Sequence, residues 1–262
     1  MNDRPPSGLE RLWRAGTASD REPRLGLSLE RIIESAIELA DSDGLGAVSM
    51  KRVAERLGFT TMSLYRYVAS KDDLLLLMHD AAWQPPPGLD TPCEDWRSGL
   101  ERWCREQHVI MQRHPWLEQI RITDRAGTPS QLTWMDLGLR TLADTPLTEH
   151  LKAEVLLLLS GYVFWEARFA GDIEHAARQG VFSADHAAEA YGELLNALVD
   201  AERFPALRRT VEAGIFDVSG GNPYAEFAFG VDLILDGIDC LMGRQTTDSA
   251  SPRRGPGPAR EG

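Results

Sequence analysis

The chain has 262 residues, of which 43% are hydrophobic and 26% are charged, and its formal net charge is −12. These proportions are typical of a globular protein with one large domain or two modest ones, and the acidic balance by itself argues against nucleic-acid binding. The three cysteines, Cys93, Cys104 and Cys240, have no paired spacing. We therefore expect a protein of a reducing cellular compartment, with neither a disulfide framework nor a zinc site.

No segment predicts secretion or membrane insertion. The N-terminal ten residues lack the basic-then-apolar order of a signal peptide. The longest apolar run, 155–165, is interrupted by Ser160 and Gly161 and falls short of the about 20 residues that a membrane span needs. The sequence thus predicts a cytoplasmic protein without a membrane partner.

Composition divides the chain into five segments. Residues 1–27 and 244–262 are rich in proline, glycine and arginine without periodicity, and they predict a disordered arm and a disordered tail. A proline-rich segment, 81–93, predicts a linker. The linker separates a smaller domain, 28–80, from a larger one, 94–243.

The smaller domain predicts four helices, each with its own start signal. Ser28, Ser49, Thr60 and Ser70 each stand where a helix N-cap is expected, before apolar residues at helical spacing. Gly44 and Gly58 are expected to end the first and second helices.

The larger domain predicts longer helices and no strands. Apolar residues at helical spacing indicate helices from Glu94 to about His114, at about 130–143, from Leu147 to about Ala170, at about 184–200, and from Pro223 to Met242. No segment alternates convincingly with period two, so the fold class is all-α.

Charge is distributed unevenly within the smaller domain. Residues 49–71 contain five basic residues and one acidic residue, a local net charge of +4, whereas residues 28–48 contain one basic and five acidic residues, a local net charge of −4. A basic face on an acidic body suits a protein that touches a polyanion on one side only.

Two of the short helices form a helix-turn-helix pattern. The second and third helices are separated by residues 58–60, and a glycine-bearing three-residue turn is typical of this motif. On the third helix, Thr61 and Tyr65 share a side with Met62 and Arg66, opposite the apolar pair Leu64 and Val68. A helix N-terminus with such side chains fits the major groove of DNA. Helix-turn-helix geometry also occurs in proteins that never bind DNA.

The residues from Ser28 to Asp80 resemble a known family. The segments SMKRVA, LYRYV and SKDDL, in this order and at tight spacing, are similar to the N-terminal domain of tetracycline-repressor-like (TetR) transcriptional regulators. Tyr67 stands where the family usually has histidine, and Val68 where it often has phenylalanine. The hydroxyl of Tyr67 is still expected to reach a phosphate.

The resemblance implies roles for individual residues. Those that match family residues facing bases are Thr61, Met62, Ser63, Arg66 and in some members Tyr65, and those that match phosphate contacts are Ser49, Tyr65, Tyr67 and Lys71. The full set of expected DNA contacts is Ser49, Lys51, Arg52, Thr60, Thr61, Met62, Ser63, Tyr65, Arg66, Tyr67 and Lys71. Four arginines of the N-terminal arm either add minor-groove or phosphate contacts or belong to a solubilising arm: Arg11, Arg14, Arg21 and Arg24.

The larger domain is similar to the C-terminal architecture of the tetracycline repressor in two segments, HPWLEQI from His114 and GYVFWEARF from Gly161. This resemblance implies a homodimer that binds palindromic operator DNA and encloses a site for an unidentified small-molecule effector. Pocket candidates are the aromatic, polar and soft residues Trp103, His108, Met111, Trp134, Trp165 and Arg168, for each of which core packing is the competing interpretation.

The last helix predicts the dimer contact. An apolar stripe runs through Phe227, Gly230, Leu233, Ile234, Gly237 and Leu241, and a four-helix interface between two copies would bury it. An ordinary buried core helix is the alternative.

The sequence leaves three candidate functions for the protein. The first is a repressor that a ligand releases from its operator, and the second is a ligand-independent regulator or activator. The third is a helical enzyme, which is disfavoured because the chain lacks the nucleophile-elbow, zinc-protease, P-loop and dinucleotide motifs. We expect no catalytic residue, metal or cofactor.

Overall fold

The structure, a computed structural model, describes residues 8–15, 26–120, 127–178, 187–214 and 223–250. These residues form helices and turns and no strand, which confirms the all-α fold class. The α-helices are α1 (Gly8–Ala15), α2 (Leu29–Asp43), α3 (Met50–Leu57), α4 (Thr61–Tyr65), α5 (Lys71–Ala82), α6 (Trp96–Arg113), α7 (Pro129–Thr141), α8 (Glu149–Arg178), α9 (Ala187–Leu198), α10 (Pro205–Glu212) and α11 (Pro223–Ala250). Short 3-10 helices, Leu45–Ala47 and Pro115–Gln119, follow α2 and α6.

Helices α2 to α5 begin where the sequence predicts. The side chains of Ser28, Ser49, Thr60 and Ser70 each accept a hydrogen bond from the backbone N–H three residues later. Such a cap satisfies one of the free N–H groups of the first turn, and its loss typically costs about 1 kcal/mol. Four caps within about forty residues therefore fix the helix starts of this domain.

The core of the smaller domain lies between α2, α3, α4 and α5. Ile32, Val53, Leu64, Val68 and Leu74 are each 0% exposed. The same buried cluster continues without a break into the larger domain. The two domains therefore share one core.

Helices extend into both segments that the sequence predicts to be disordered, and residues 251–262 of the predicted tail lie outside the described residues. The arm contains α1, because Leu9, Leu12 and Trp13 form an apolar stripe and Leu12 packs on the common core. Residues 1–7 and 16–25 of the arm lie outside the described residues. Helix α11 continues from Met242 to Ala250, since no proline follows before Pro252.

The predicted linker begins with a residue that packs against the larger domain. Trp83, directly after α5, is 1% exposed and lies 5.7 Å from the ring of Trp134 on α7 and 5.7 Å from the ring of Phe164 on α8. The indole N–H of Trp134 donates to the carbonyl of Trp83 at 2.8 Å, and that of Trp103 donates to the carbonyl of Trp134 at 2.9 Å. The three tryptophans tie the end of α5 to α6 and α7.

Two carboxylates join the domains. Asp80, 5% exposed on α5, accepts a hydrogen bond through Oδ1 from the backbone N–H of Ser130 in the first turn of α7, at 2.8 Å. Asp41 on α2 accepts from the indole N–H of Trp116 at 2.6 Å, and its Oδ1 lies 2.8 Å from Nδ1 of His114. Each contact connects a helix of the smaller domain to a helix end of the larger one.

Candidate DNA-binding surface and regulatory domain

The turn between α3 and α4 is built by Gly58. This residue adopts the left-handed conformation (φ 75°, ψ 28°), which a glycine reaches without steric cost. The N–H of Phe59 then bonds to the carbonyl of Ala54 at 2.9 Å, and Thr60 caps α4. The turn thereby holds α4 at a fixed angle to α3, as in a helix-turn-helix.

Helix α4 presents a polar side to solvent. Met62 is 75% exposed, and Tyr65 and Arg66 are also exposed, whereas Leu64 and Val68 are fully buried. We call Met62, Tyr65, Arg66 and the half-buried Thr61 the recognition surface. The regular helix ends at Tyr65, and hydrogen bonds from the N–H groups of residues 67 and 68 to the carbonyl of residue 64 continue the turn.

The other residues of this motif that are expected to contact DNA are less exposed. Tyr67 is half-buried and packs against the core. Ser63 is also half-buried, and its hydroxyl lies 2.9 Å from that of Thr60. The hydroxyl of Ser49 caps α3.

The basic residues of the motif fall into two groups. Arg52 is held by Asp43 at 2.6 Å and Arg56 by Glu38 at 3.0 Å, so the acidic side of α2 partly neutralises α3. Lys51 lies 3.7 Å from Glu55 with both side chains in solvent. Arg66 and Lys71 form no ion pair with any described residue. Their charges are therefore available to an anion.

In the larger domain, three of the pocket candidates are part of the core: Trp103, Trp134 and Met111. Trp103 and Trp134 are 3% and 1% exposed, and their indole N–H groups are bonded to backbone carbonyls. Met111 is also buried. The core interpretation therefore describes both tryptophans.

His108 is the buried candidate with a free ring nitrogen. It is 3% exposed, stacks on Phe227 of α11 at 4.0 Å between ring centroids, and its Nδ1 has no hydrogen-bond partner in the described part of the chain. Burial lowers the pKa of His108 below the usual value of 6.5. The ring is therefore neutral near physiological pH and offers either a donor or an acceptor.

The remaining two candidates lie near the surface. Trp165 is 62% exposed and stacks on Phe169. Arg168 is exposed and lies 3.9 Å from Asp172, and both of these charges act on the carboxyl of Glu118. Burial raises the pKa of Glu118, and Oε2 of its carboxyl is buried without a partner among the described residues.

A cavity of about 480 Å³ lies between the linker and the C-terminal half of α7. None of the six pocket candidates lines it. Its walls are formed by residues 89–96 with Arg102, Leu137, Arg140, Thr141, Asp144 and Thr145.

The stripe predicted on α11 divides between two sides of the helix. Phe227 is buried, and Gly230 lies directly beneath the ring of Tyr162, where a Cβ atom would not fit. Ile234 and Leu241 are half-buried against the core. Leu233 and Gly237 face solvent.

The exposed apolar side chains of α8 and α11 form a different set. We call it the α8/α11 face, and it consists of Leu157, Leu158, Trp165, Phe169, Phe229 and Leu233, each more than half exposed. The sequence prediction missed most of this set, because both helices are apolar on more than one side. No helix among the described residues is long and apolar enough to cross a membrane, and these residues contain no group of side chains suited to hold a metal ion.

Comparisons with known proteins match both domains. Residues 32–78 match the family model of bacterial regulatory proteins of the tetR family, and residues 87–242 match the model of the tetracyclin repressor-like C-terminal domain. The transcriptional repressor DrrR1 of Streptomyces coeruleorubidus is 33% identical over 243 residues, which cover 92% of this chain and 88% of DrrR1.

Solved structures show the same architecture. Apo ActR of Streptomyces coelicolor superposes with a TM-score of 0.64 at 27% identity, over 83% of this chain and 99% of ActR. ActR in complex with actinorhodin superposes with a TM-score of 0.63 at 25% identity, over the same shares of the two chains.

The neutral state of His108 has a measurable consequence. Because its pKa is lower in the folded chain, the unfolded chain takes up a proton first, so stability is lost as the pH falls below about 6.5. In His108→Gln, the free energy of unfolding should fall less between about pH 7.5 and about pH 5.5 than in wild type. Denaturant unfolding at both pH values measures this.

The matched control is His150→Gln, which changes an exposed histidine in the first turn of α8. It should keep the pH dependence of wild type. An identical loss of stability in wild type and His108→Gln would contradict a buried neutral ring.

Proposed function

The chain belongs to the TetR family of bacterial transcriptional regulators, and from that premise we propose that it is a dimeric repressor which a small-molecule effector releases from a palindromic operator. Because its partner is DNA, we propose that it acts in the cytoplasm. The observation that carries the proposal is the recognition surface on α4, where exposed polar side chains stand over the buried pair Leu64 and Val68.

Operator recognition is proposed to divide between base and phosphate contacts. Thr61, Met62 and Ser63 at the N-terminal end of α4, and Arg66 directly after this helix, would enter the major groove. The phosphate contacts would come from residues on either side: Ser49, Lys51, Arg52, Thr60, Tyr65, Tyr67 and Lys71. Arg52 would have to leave Asp43 or share its charge, which makes it a weaker contact than Lys71.

Arg66→Ala should weaken operator binding by about 10- to 100-fold, since a good base contact is worth about 1–3 kcal/mol of discrimination. It should also relax the sequence preference at one position of each half-site. Lys71→Ala should weaken binding to all sequences alike and reduce the slope of log Kd against log salt by about two, one for each chain of the dimer. Fluorescence anisotropy with labelled operator and scrambled DNA measures both.

Arg56→Ala is the matched control, because Arg56 lies on the same motif but is bound to Glu38 at 3.0 Å. It should change operator affinity much less than Arg66→Ala. Equal effects of the two arginine variants would show that α4 is not docked as proposed.

Dimerisation is proposed to use the α8/α11 face. The two helices pack on each other where Tyr162 donates to the carbonyl of Phe227 at 3.2 Å, and no described residue covers the apolar side chains on their outer sides. Exposed apolar patches of this kind mark interaction surfaces. A two-fold axis through them would pair two copies of each helix and place two recognition surfaces on one duplex.

Leu233→Glu should convert the dimer to a monomer or raise its dissociation constant by at least about tenfold, because it buries a charge without a partner. Leu207→Glu on α10 is the control, since Leu207 is exposed, apolar and outside the α8/α11 face. Sedimentation velocity over a concentration series measures both. A Leu233→Glu chain that remains as dimeric as wild type would place the interface elsewhere.

The effector is proposed to bind inside the larger domain near His108 and Met111, where the free Nδ1 could orient a ligand. ActR, whose fold this chain shares, has been solved in complex with actinorhodin, which supports a small organic effector as the class of ligand. A ligand that displaces α7 would disturb the hydrogen bond from Ser130 to Asp80 and thereby tilt α5. By linkage, operator and effector would then weaken each other's binding.

A further inference from the structure

Helix α1 lies outside the segment that matches the family model, which begins at residue 32. The sequence predicts a disordered arm in its place, and none of the DNA, effector or dimer contacts proposed above involves it. Its Leu12 packs on the common core, and the helix as a whole lies against α5, the last helix of the DNA-binding domain. It is therefore docked on the helix that follows the helix-turn-helix and contains Lys71.

Helix α1 also reaches the larger domain through Trp13. The indole N–H of Trp13 donates to the carbonyl of Gly127 at 3.1 Å, across 114 residues of sequence. Gly127 precedes Thr128, the residue that caps α7, and it has a positive φ of 85°. One helix therefore contacts α5 by its apolar stripe and the entry to α7 by a hydrogen bond.

This contact lies beside the joint between the domains. Three residues after Gly127, the N–H of Ser130 bonds to the buried carboxylate of Asp80. Trp13 on α1 and Asp80 on α5 therefore both hold the first residues of α7 from the side of the smaller domain. Lys71, the phosphate contact proposed above, lies nine residues before Asp80 on α5, a distance of about 13 Å along the helix.

An eight-residue helix has little stability of its own. Isolated helices shorter than about 12 residues are marginal in water, so α1 keeps its shape only while it is docked. Its presence therefore depends on the relative position of α5 and α7, and by the same coupling it stabilises that position.

We propose that α1 is a strap between the DNA-binding and regulatory domains, and that Trp13 is its positioning residue. The strap holds α5 at one angle to α7, so the two recognition surfaces of the dimer are preorganised for the operator. Without the strap, only a fraction of the molecules has the angle between α5 and α7 that fits the operator. The apparent operator affinity is then reduced in proportion to that fraction. This inference rests on the proposed operator-binding function.

The strap acts through contacts within the chain. Its expected effects therefore differ from those of the two interpretations that the sequence leaves open for the arm, which are DNA contact and solubility. If arginines of the arm bound phosphates, loss of the arm would reduce the salt dependence of binding. If the arm only aided solubility, its loss would leave operator binding unchanged.

The experiment uses the full dimeric chain and a DNA fragment selected with it from random sequence. We compare wild type, a chain without residues 1–15, Trp13→Phe, which keeps a ring but loses the donor, and the control Trp96→Phe. Operator Kd is measured by anisotropy over a series of salt concentrations. Amide hydrogen exchange is followed in peptides covering residues 127–134 and 50–66.

The strap predicts that the truncation and Trp13→Phe both weaken operator binding by about two- to tenfold, the range expected for one hydrogen bond, with the slope against salt unchanged. Both should also exchange faster in residues 127–134 and not in 50–66. Trp96→Phe should match wild type in every readout.

Three results would overturn the strap. The first is an unchanged Kd in both α1 variants, and the second is a reduced salt slope in the truncated chain with Trp13→Phe equal to wild type. The third is a tighter complex without α1, which would mean that the strap opposes the operator. Failure of wild type to select any DNA would instead reject the proposed function, and unchanged exchange in residues 127–134 would then decide against the strap independently.

Discussion

The buried carboxylate of Asp80 fixes how the two halves of this chain meet. A carboxylate that is 5% exposed is unfavourable unless hydrogen bonds compensate it, and here the N–H of Ser130 does so from the first turn of α7, where the helix dipole also favours a negative charge. Gln84 adds a second donor to the same side chain at 3.2 Å. Asp80 lies on α5, the helix that follows the helix-turn-helix, so this hydrogen bond connects the first turn of α7 directly to the smaller domain.

Local sequence patterns predicted the helices of the DNA-binding domain well. They could not predict contacts between segments that are distant in sequence. The caps at Ser28, Ser49, Thr60 and Ser70 could be predicted because cap and helix are adjacent in sequence. The partner of Asp80 is 50 residues away, and neither residue carries a local signal of the other. Helix α1 was missed because its short apolar stripe lies between segments with the composition of a disordered arm.

The prediction of the α11 stripe shows a different limit. Periodicity identifies an apolar side of a helix, but α11 is apolar on two sides, and only packing decides which one the chain buries itself. Phe227 turned inward onto His108 and Tyr162, while Phe229 and Leu233 remained in solvent. The pocket candidates divided in the same way, since the indole donors of Trp103 and Trp134 serve the backbone.

The distribution of charge suits a regulator that binds only a few sites on DNA. Acidic residues of α2 hold Arg52 and Arg56, so a protein of net charge −12 keeps only a small positive surface around Arg66 and Lys71. Non-specific attraction to DNA grows with the number of phosphates neutralised, and it should be weak here. In the proposed symmetric dimer, tight binding would then depend on base contacts made by both chains. Hydroxyl-radical footprinting of an operator fragment selected by wild type tests this account most directly. A dimer on a palindromic operator should protect two segments on one face of the duplex, related by two-fold symmetry, separated by about one helical turn or more, and occupied by two chains. A single protected segment without a symmetric partner, or protection that ignores sequence, would contradict it.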